Sequence, residues 1–183
     1  MKIFISHGQN ELAKLKLKEF VRETLNLVPL ILADQPSDGL TIVEKLEKYG
    51  KQCKFALILL TADDETAGGS LRARQNVIHE LGYFHGFLGR EKVLLLKEGG
   101  IELFSNISGI IYLEFPNGHI ETTFEGIRKA LLHVGVKEQN KKIHPGDSLG
   151  TPKGKKNSII TEFNDSVVNN VVNVQGGSNT FNQ

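Results

Sequence analysis

Three polar side chains spaced four residues apart could together act on a sugar or a phosphate. They are Arg72, Asn76 and Glu80, and a helix starting near Leu71 would place all three on one side. That side borders the apolar stripe of the same helix, so Glu80 would lie between the core and a cleft. A carboxylate there could hold ribose hydroxyls or stabilise a developing positive charge, as acidic groups do in glycosyl transfer. The spacing also fits a glutamate on a solvated helix surface.

Other familiar site chemistries do not fit the residues. The sequence has no GxxxxGK[ST] phosphate loop and no GxGxxG after its first apolar run. His79-Glu80 matches the start of an HExxH motif, but the next histidine, His85, is too far along to be a second zinc ligand one turn away. The single cysteine, Cys53, excludes an intrachain disulfide and a multi-cysteine zinc site. We therefore expect no metal site.

An alternation of apolar runs and amphipathic stretches predicts an α/β fold around these residues. Apolar runs predict strands over residues 2–6, 28–33, 55–60, 92–96 and 110–113. Helices are predicted from Glu11 behind an Asn10 cap, from Thr41 with Glu44 as capping-box partner, over 75–88, and over 123–134.

Two of these helices have apolar spacings that predict a buried side. In the first helix the residues on that side are predicted to be Leu12, Leu15, Phe20 and Leu25. In the helix over 75–88 they are Val77, Leu81, Phe84 and Leu88. Continuous apolar strands separated by helices indicate a parallel sheet covered on both faces, whose ligands bind beyond the carboxyl ends of the strands. That rim would hold residues 6–8, 34–39 and 61–64.

Composition places the chain among ordinary globular proteins. It has 183 residues, a formal charge of +1 and 39% hydrophobic residues, and no apolar stretch approaches the ~20 residues of a membrane span. The small net charge argues against a general nucleic-acid binder, which would carry a basic excess. The first residues have too short an apolar run for a signal peptide. These features predict a cytoplasmic protein with no nucleic-acid or membrane partner.

The chain divides into three parts by charge and composition. Residues 1–136 carry 16 basic and 17 acidic side chains and form the predicted domain. Residues 137–156 hold six lysines, a local charge of +4, two prolines and three glycines, and predict a flexible basic linker. Residues 157–183 contain seven asparagines and five valines but only two charged residues, and are predicted to be a separate tail.

The first part of the chain resembles a known family. Its segments IFISHG, DQPSDGLTIVEKLEKY, LLTADD, RARQNVIHELGYFHGFLGREKV and ISGIIYLEF are similar to the bacterial TIR-like nucleotide-binding domains that act as effectors in anti-phage signalling. The resemblance covers about residues 1–136, and RQNVIHELGYF is its most specific part. It implies a flavodoxin-like TIR fold with a central parallel five-stranded sheet. It also implies an NAD+ nucleosidase that uses NAD+ as substrate and needs no cofactor.

The resemblance also implies roles for individual residues. Glu80 matches the catalytic glutamate, and the first loop at the nucleotide rim is formed by Ser6, His7 and Gly8. The loop from Asp34 through Gly39 to Thr41 matches the one that TIR domains use for cleft gating and self-association, although Asp34 and Asp38 also fit simple turn formers. Arg72 and Asn76 could orient the ribose or diphosphate, or be solvated. Animal TIR domains have a Trp-Cys pair where this chain has Asn76-Val77, so they are a poor guide to its cleft.

The tail has the composition of a segment that assembles. It lacks proline and combines β-branched pairs, Val167-Val168 and Val171-Val172, with closely spaced asparagines, as cross-β stacking requires. Residues 174–179 resemble RHIM-like and bacterial amyloid signalling motifs but depart from them at Gly176. A disordered tail, or a strand on the domain's own edge, fits as well. If the tail assembles, we expect a homo-oligomer or filament with TIR–TIR contacts and a sensor protein bound through residues 157–183.

Three functions remain open at this point. The first is an NAD+-cleaving immune effector activated by self-assembly, with nicotinamide and linear or cyclic ADP-ribose as products. The second is a non-enzymatic TIR adaptor in which Glu80 has no chemical role. The third is an enzyme similar to nucleoside deoxyribosyltransferases, which also use a glutamate in a flavodoxin-like fold.

Overall fold

A five-stranded parallel sheet forms the centre of the part of the chain that the computed structural model describes, residues 1–103, 105–107 and 109–136. In sheet order its strands are β2 (Val28–Leu30), β1 (Lys2–Ser6), β3 (Phe55–Leu60), β6 (Val93–Glu98) and β7 (Tyr112–Phe115). Two short strands, β4 (Asp64–Glu65) and β5 (Leu71–Arg72), form a separate antiparallel pair. The predicted α/β fold with five parallel strands is confirmed. The linker and tail predicted over 137–183 lie outside the described residues.

Within the described residues, four α-helices connect and cover the strands. They are α1 (Glu11–Glu19), α2 (Ile42–Gly50), α3 (Gln75–Leu88) and α4 (Phe124–His133). A π-helical turn, Phe20–Thr24, extends α1, and 3₁₀ turns occur at Leu32–Asp34, Arg90–Lys92 and Ile120–Thr123.

Both predicted helix caps are confirmed. The Ala13 amide donates to the Asn10 side chain at 3.0 Å. At the start of α2, the Glu44 amide donates to Thr41 Oγ1 at 3.3 Å, and the Thr41 amide donates to Glu44 Oε2 at 2.9 Å. This reciprocal pairing is a capping box, and it sets the first residue of α2.

Two apolar clusters lie on opposite faces of the sheet because β3 is apolar on both sides. Phe55, Leu57 and Leu59 face the cluster that includes residues of α1 and α4. Ala56, Ile58 and Leu60 face the cluster that includes residues of α2 and α3. All six strand residues are at most 1% exposed, as expected for a parallel sheet covered on both faces.

Several details differ from the sequence prediction, among them the last strand, which spans Tyr112–Phe115 instead of 110–113. Leu12 and Leu15 are 57% and 55% exposed, so their assignment to the buried side of α1 was wrong. The stripe that packs on the sheet is Ala13, Leu17, Phe20 and Val21, at i, i+4, i+7 and i+8. Strand β2 ends at residue 30 instead of 33, since the chain turns into a 3₁₀ turn there.

The parallel register brings the carboxyl ends of the strands to one edge. Ser6 lies opposite Ile58, Leu60 opposite Lys97, and Glu98 opposite Phe115. The loops that follow β1, β2 and β3 therefore begin at this edge, as the sequence predicted. Within the described residues, no helix has the length and apolar character needed to cross a membrane.

Candidate functional site

A cleft of about 260 Å³ opens at this edge of the sheet, between α2 and α3. The end of β1 and the following loop supply one wall, the segment after β2 with the first turn of α2 supplies another, and the start of α3 supplies the third. The lining residues are Ile5, His7, Gly8, Leu32, Ala33, Ile42, Lys45, Arg74, Asn76 and Glu80.

Glu80 is the carboxylate of this cleft. It lies on α3, whose Val77, Leu81 and Phe84 are buried against the sheet, so Glu80 falls at the margin of the buried stripe and is half-buried. The hydroxyl of Ser6, the last residue of β1, donates a hydrogen bond to Glu80 Oε2. The side chain is thus held at the carboxyl end of a central strand.

The surroundings of Glu80 change its ionisation. Burial raises the pKa of its carboxyl from 4.5 to about 7, and the hydrogen bond from Ser6 offsets only part of that effect. Near neutral pH the protonated and ionised forms are therefore both populated. Such a group can stabilise a positive charge when ionised, and it can take up a proton during a reaction.

Of the three residues predicted at the first loop, Ser6 positions Glu80, whereas His7 and Gly8 line the cleft. Ser6 is 1% exposed; it is absent from the lining and binds Glu80 instead. His7 and Gly8 both line the cleft. His7 Nδ1 lies 2.8 Å from the Gly8 carbonyl oxygen; because a carbonyl only accepts, Nδ1 carries the proton in this geometry.

Gly8 is required by close packing against the loop that follows β3. A Cβ at this position would lie 1.5 Å from Asp63 Oδ2. Asp63 in turn accepts hydrogen bonds from the Gln9 amide, at 2.9 Å, and from the Thr61 hydroxyl, at 3.0 Å. The Asp63 side chain therefore ties the loop after β1 to the loop after β3, and a side chain at position 8 would displace it.

The loop from Asp34 to Thr41 reaches the cleft only through its flanking residues. Asp34 forms an ion pair with Lys18 at 2.6 Å, and neither Asp34 nor Gly39 is among the lining residues. Asp38 and Gly39 have positive φ angles of 47° and 73°, which is the geometry of a tight turn. The substrate-binding roles implied for Asp34 and Gly39 stay predictions.

The predicted helical stacking of Arg72, Asn76 and Glu80 was wrong for Arg72. The helix begins at Gln75, and Arg72 lies in β5, where its guanidinium forms an ion pair with Glu102 at 3.1 Å. The hydrogen bonds of β5 with β4 take this segment out of helical geometry. Asn76 and Glu80 do line the cleft together.

Two basic side chains of the cleft, Lys45 and Arg74, were missed from the sequence. Lys45 lies in the first turn of α2, and Arg74 immediately precedes α3. The sequence did contain a signal that could have found them. In a parallel α/β fold, each crossover helix starts beside the carboxyl end of the preceding strand. The predicted starts of both helices therefore mark residues near the rim.

A second cavity of about 260 Å³ lies beyond the loop that contains Gly8. Its charged lining residues are acidic, whereas those of the first cleft include Lys45 and Arg74. It is lined by Gln9, Asn10, Thr61, Ala62, Asp63, Glu98 and Asn117. The Glu98 side chain, in a residue only 3% exposed, accepts hydrogen bonds from the Ala62 amide at 3.1 Å and from the Asn10 side chain at 3.3 Å. Across the described part of the chain, no three His, Cys, Asp or Glu side chains come together in a way that could hold a metal ion.

Comparison with known proteins identifies the family. A family model for the TIR domain of CAP12/Pycsar effector proteins matches residues 2–117. The chain belongs to this family. The sequence-based recognition of a bacterial anti-phage TIR domain is thereby confirmed, and the cleft with Glu80 lies wholly within the matched residues.

Individual relatives of this TIR domain come from bacteria and an amoeba. Uncharacterized protein YuaY of Escherichia coli (strain K12) is 42% identical over 118 residues, 62% of this chain and 39% of that protein. Protein tirC of Dictyostelium discoideum is 32% identical over 130 residues, 63% of this chain and 64% of that protein. Pycsar effector protein BcPycTIR of Burkholderia cepacia is 28% identical over 106 residues, 51% of this chain and 35% of that protein. The chain thus spans between about a third and two thirds of the length of these relatives.

Proposed function

We propose that this TIR domain cleaves the nicotinamide–ribose bond of NAD+ and releases nicotinamide with ADP-ribose or its cyclic form. The observation that carries the proposal is the half-buried Glu80 carboxylate, held by Ser6 in a cleft at the carboxyl edge of the sheet. Membership of a family of TIR effectors agrees with it.

The chemistry needs little more than this carboxylate. Breaking the bond between C1′ and the pyridinium nitrogen leaves both bonding electrons on nitrogen, so nicotinamide departs as a neutral base. The ribose becomes an oxocarbenium-like cation, which an ionised carboxylate in a poorly solvated cleft stabilises. Water or the adenine ring then attacks C1′, and when water attacks, Glu80 or the solvent takes the proton that is released.

We further propose that the protein is an anti-phage effector whose activity depends on self-association through TIR–TIR contacts. Ile42 and Val43, the first two residues of α2, are 68% and 51% exposed, and Ile42 lines the cleft. An apolar surface at that place would let a second copy complete the cleft. A sensor protein bound through residues 157–183 remains a prediction outside the described residues.

Nicotinamide release from NAD+ tests the proposal. The full chain, Glu80→Ala, and Glu19→Gln as a control for loss of an exposed carboxylate would be compared at several protein concentrations. We expect the rate to rise more steeply than protein concentration for the wild type and Glu19→Gln, and to vanish in Glu80→Ala. Silence of the wild type at every concentration, with the protein assembled, would favour the adaptor. Turnover of nucleosides but not of NAD+ would favour the deoxyribosyltransferase-like enzyme.

A further inference from the structure

Two basic side chains approach the Glu80 cleft from different helices. Lys45 comes from α2 and is half-buried, whereas Arg74 precedes α3 and is exposed. The other lining residues are apolar or polar, apart from Glu80 with its carboxyl group. The cleft therefore places two positive charges and one carboxyl group around the same space.

Neither cation is neutralised by an ion pair within the described residues. Other basic side chains near this edge are paired, such as Lys18 with Asp34 at 2.6 Å and Lys48 with Asp38 at 2.8 Å. Lys48 is the main cause of the lowered pKa of Asp38, and Lys45 contributes to it only through longer-range charge interaction. Lys45 and Arg74 thus stay available to an anion that enters the cleft.

The neighbouring cavity differs from the Glu80 cleft in the charge of its lining residues. It is lined by the carboxylates of Asp63 and Glu98 and by no basic residue. A phosphate group would be repelled there and attracted to the cleft with Lys45 and Arg74. Of these two cavities, as the described residues line them, the cleft with Lys45 and Arg74 is the one whose charge suits a phosphorylated ligand.

We propose that Lys45 and Arg74 bind the diphosphate of the substrate and make the site selective for nucleotides over uncharged nucleosides. The identity of the bond that is cleaved rests on the proposed function; the recognition of the diphosphate does not. A lysine supplies a compact charge and an arginine a planar fork that can hold two phosphate oxygens at once. The phosphates lie away from the bond that breaks, so these contacts should be equally strong before and during the reaction and act on KM more than on kcat.

The experiment compares Lys45→Gln, Arg74→Gln, the double variant and Arg74→Lys in the full chain. Lys54→Gln is the matched control, because Lys54 is an exposed lysine at the opposite, amino end of the sheet, where its amide bonds to the Lys2 carbonyl. Titration calorimetry with ADP-ribose and with adenosine measures binding without any need for turnover. NAD+ and nicotinamide riboside serve as the charged and uncharged substrates for kinetics.

We expect ADP-ribose to bind about tenfold more weakly to each glutamine variant and about 100-fold more weakly to the double variant. Arg74→Lys should fall between the wild type and Arg74→Gln. Adenosine binding should be unchanged, and Lys54→Gln should match the wild type. KM for NAD+ should rise by the same factors with kcat changed less than twofold, whereas kcat/KM for nicotinamide riboside should stay constant.

The outcomes separate this proposal from the function it extends. ADP-ribose binding that is equal in the wild type and the double variant, or equally weakened in Lys54→Gln, would overturn the phosphate assignment even if NAD+ is cleaved. Absence of ADP-ribose binding to the wild type would overturn it as well. Binding that depends on Lys45 and Arg74 in a protein that cleaves no NAD+ would sustain it and refute the NAD+ nucleosidase. Should the double variant fail to fold, the two single variants give the same decision.

Discussion

Replacing Glu80 by glutamine should stabilise the protein at pH 8 but much less at pH 5. In the unfolded chain the carboxyl titrates near 4.5, and in the folded protein burial raises its pKa to about 7. Between these two values the folded state binds more protons than the unfolded state, so stability falls as pH rises through this window. Above pH 7 the cost of holding an ionised carboxylate is fully present, and glutamine does not have it.

The size of the effect follows from the two pKa values. Each pH step of one within the window changes the free energy of unfolding by about 1.4 kcal/mol. From pH 5 to pH 8 the wild type should lose up to about 2.5 kcal/mol relative to Glu80→Gln. Glutamine keeps the side-chain shape and can still accept the hydrogen bond from Ser6, so packing contributes little to the difference.

Chemical denaturation at pH 5, 6, 7 and 8 measures this quantity. The gap between Glu80→Gln and the wild type should widen with pH and level off above about 7. Glu19→Gln, which removes an exposed carboxylate on α1, is measured alongside as the matched control. A gap for Glu80→Gln that is constant from pH 5 to pH 8 would refute the burial argument. The same result would remove the reason to expect a carboxyl that titrates near neutral pH.

Three other variants or reagents probe neighbouring features. Ser6→Ala should move the rise of NAD+ cleavage to higher pH, because the Ser6 hydroxyl lowers the pKa of Glu80. Loss of a hydrogen bond worth about 1.4 kcal/mol predicts a rate about fivefold slower at pH 7. An unshifted pH–rate profile would contradict this. Gly8→Ala should destabilise the protein by about 1–3 kcal/mol, and adding Asp63→Ala should recover part of that in a double-mutant cycle of denaturation midpoints. Cys53 is 1% exposed and burial raises its pKa to about 12, so a thiol reagent should modify it only in denaturant; rapid labelling of the native protein would exclude this burial.

Much of the fold could be predicted because its strongest patterns are local. Strands β1 and β3 and helix α3 begin and end where the apolar runs and the helical spacing place them. The buried side of α1 could not be predicted from spacing, because the helix carries two apolar stripes. One includes Leu12 and Leu15, and the other runs through the small Ala13 and Leu17. Packing on the sheet selects the second stripe, which is a tertiary effect.

The candidate site was only partly predictable for a related reason. Glu80 and Asn76 share one helix, so their spacing placed them together in the cleft. Arg72 fell outside because two residues of β5 pair with β4 before the helix can start. Lys45 comes from another helix, and its approach to Glu80 depends on how α2 and α3 pack. The predicted start of α2 places Lys45 near the rim, but no spacing along the chain shows that it reaches the same cleft as Glu80.

The capping box at Thr41 and Glu44 has a mechanical consequence for the loop before it. Thr41 and Glu44 satisfy each other's backbone amides, so the first turn of α2 takes its cap from these two residues and not from the loop before it. We expect a helix start that is capped in this way to limit the spread of local unfolding. A change in the shape of the loop has to break its contacts with Lys48 and Tyr49, near the end of α2, but not the cap that holds the first turn with Lys45. Under the role proposed for Lys45, a substrate would meet a positive charge that is already in place.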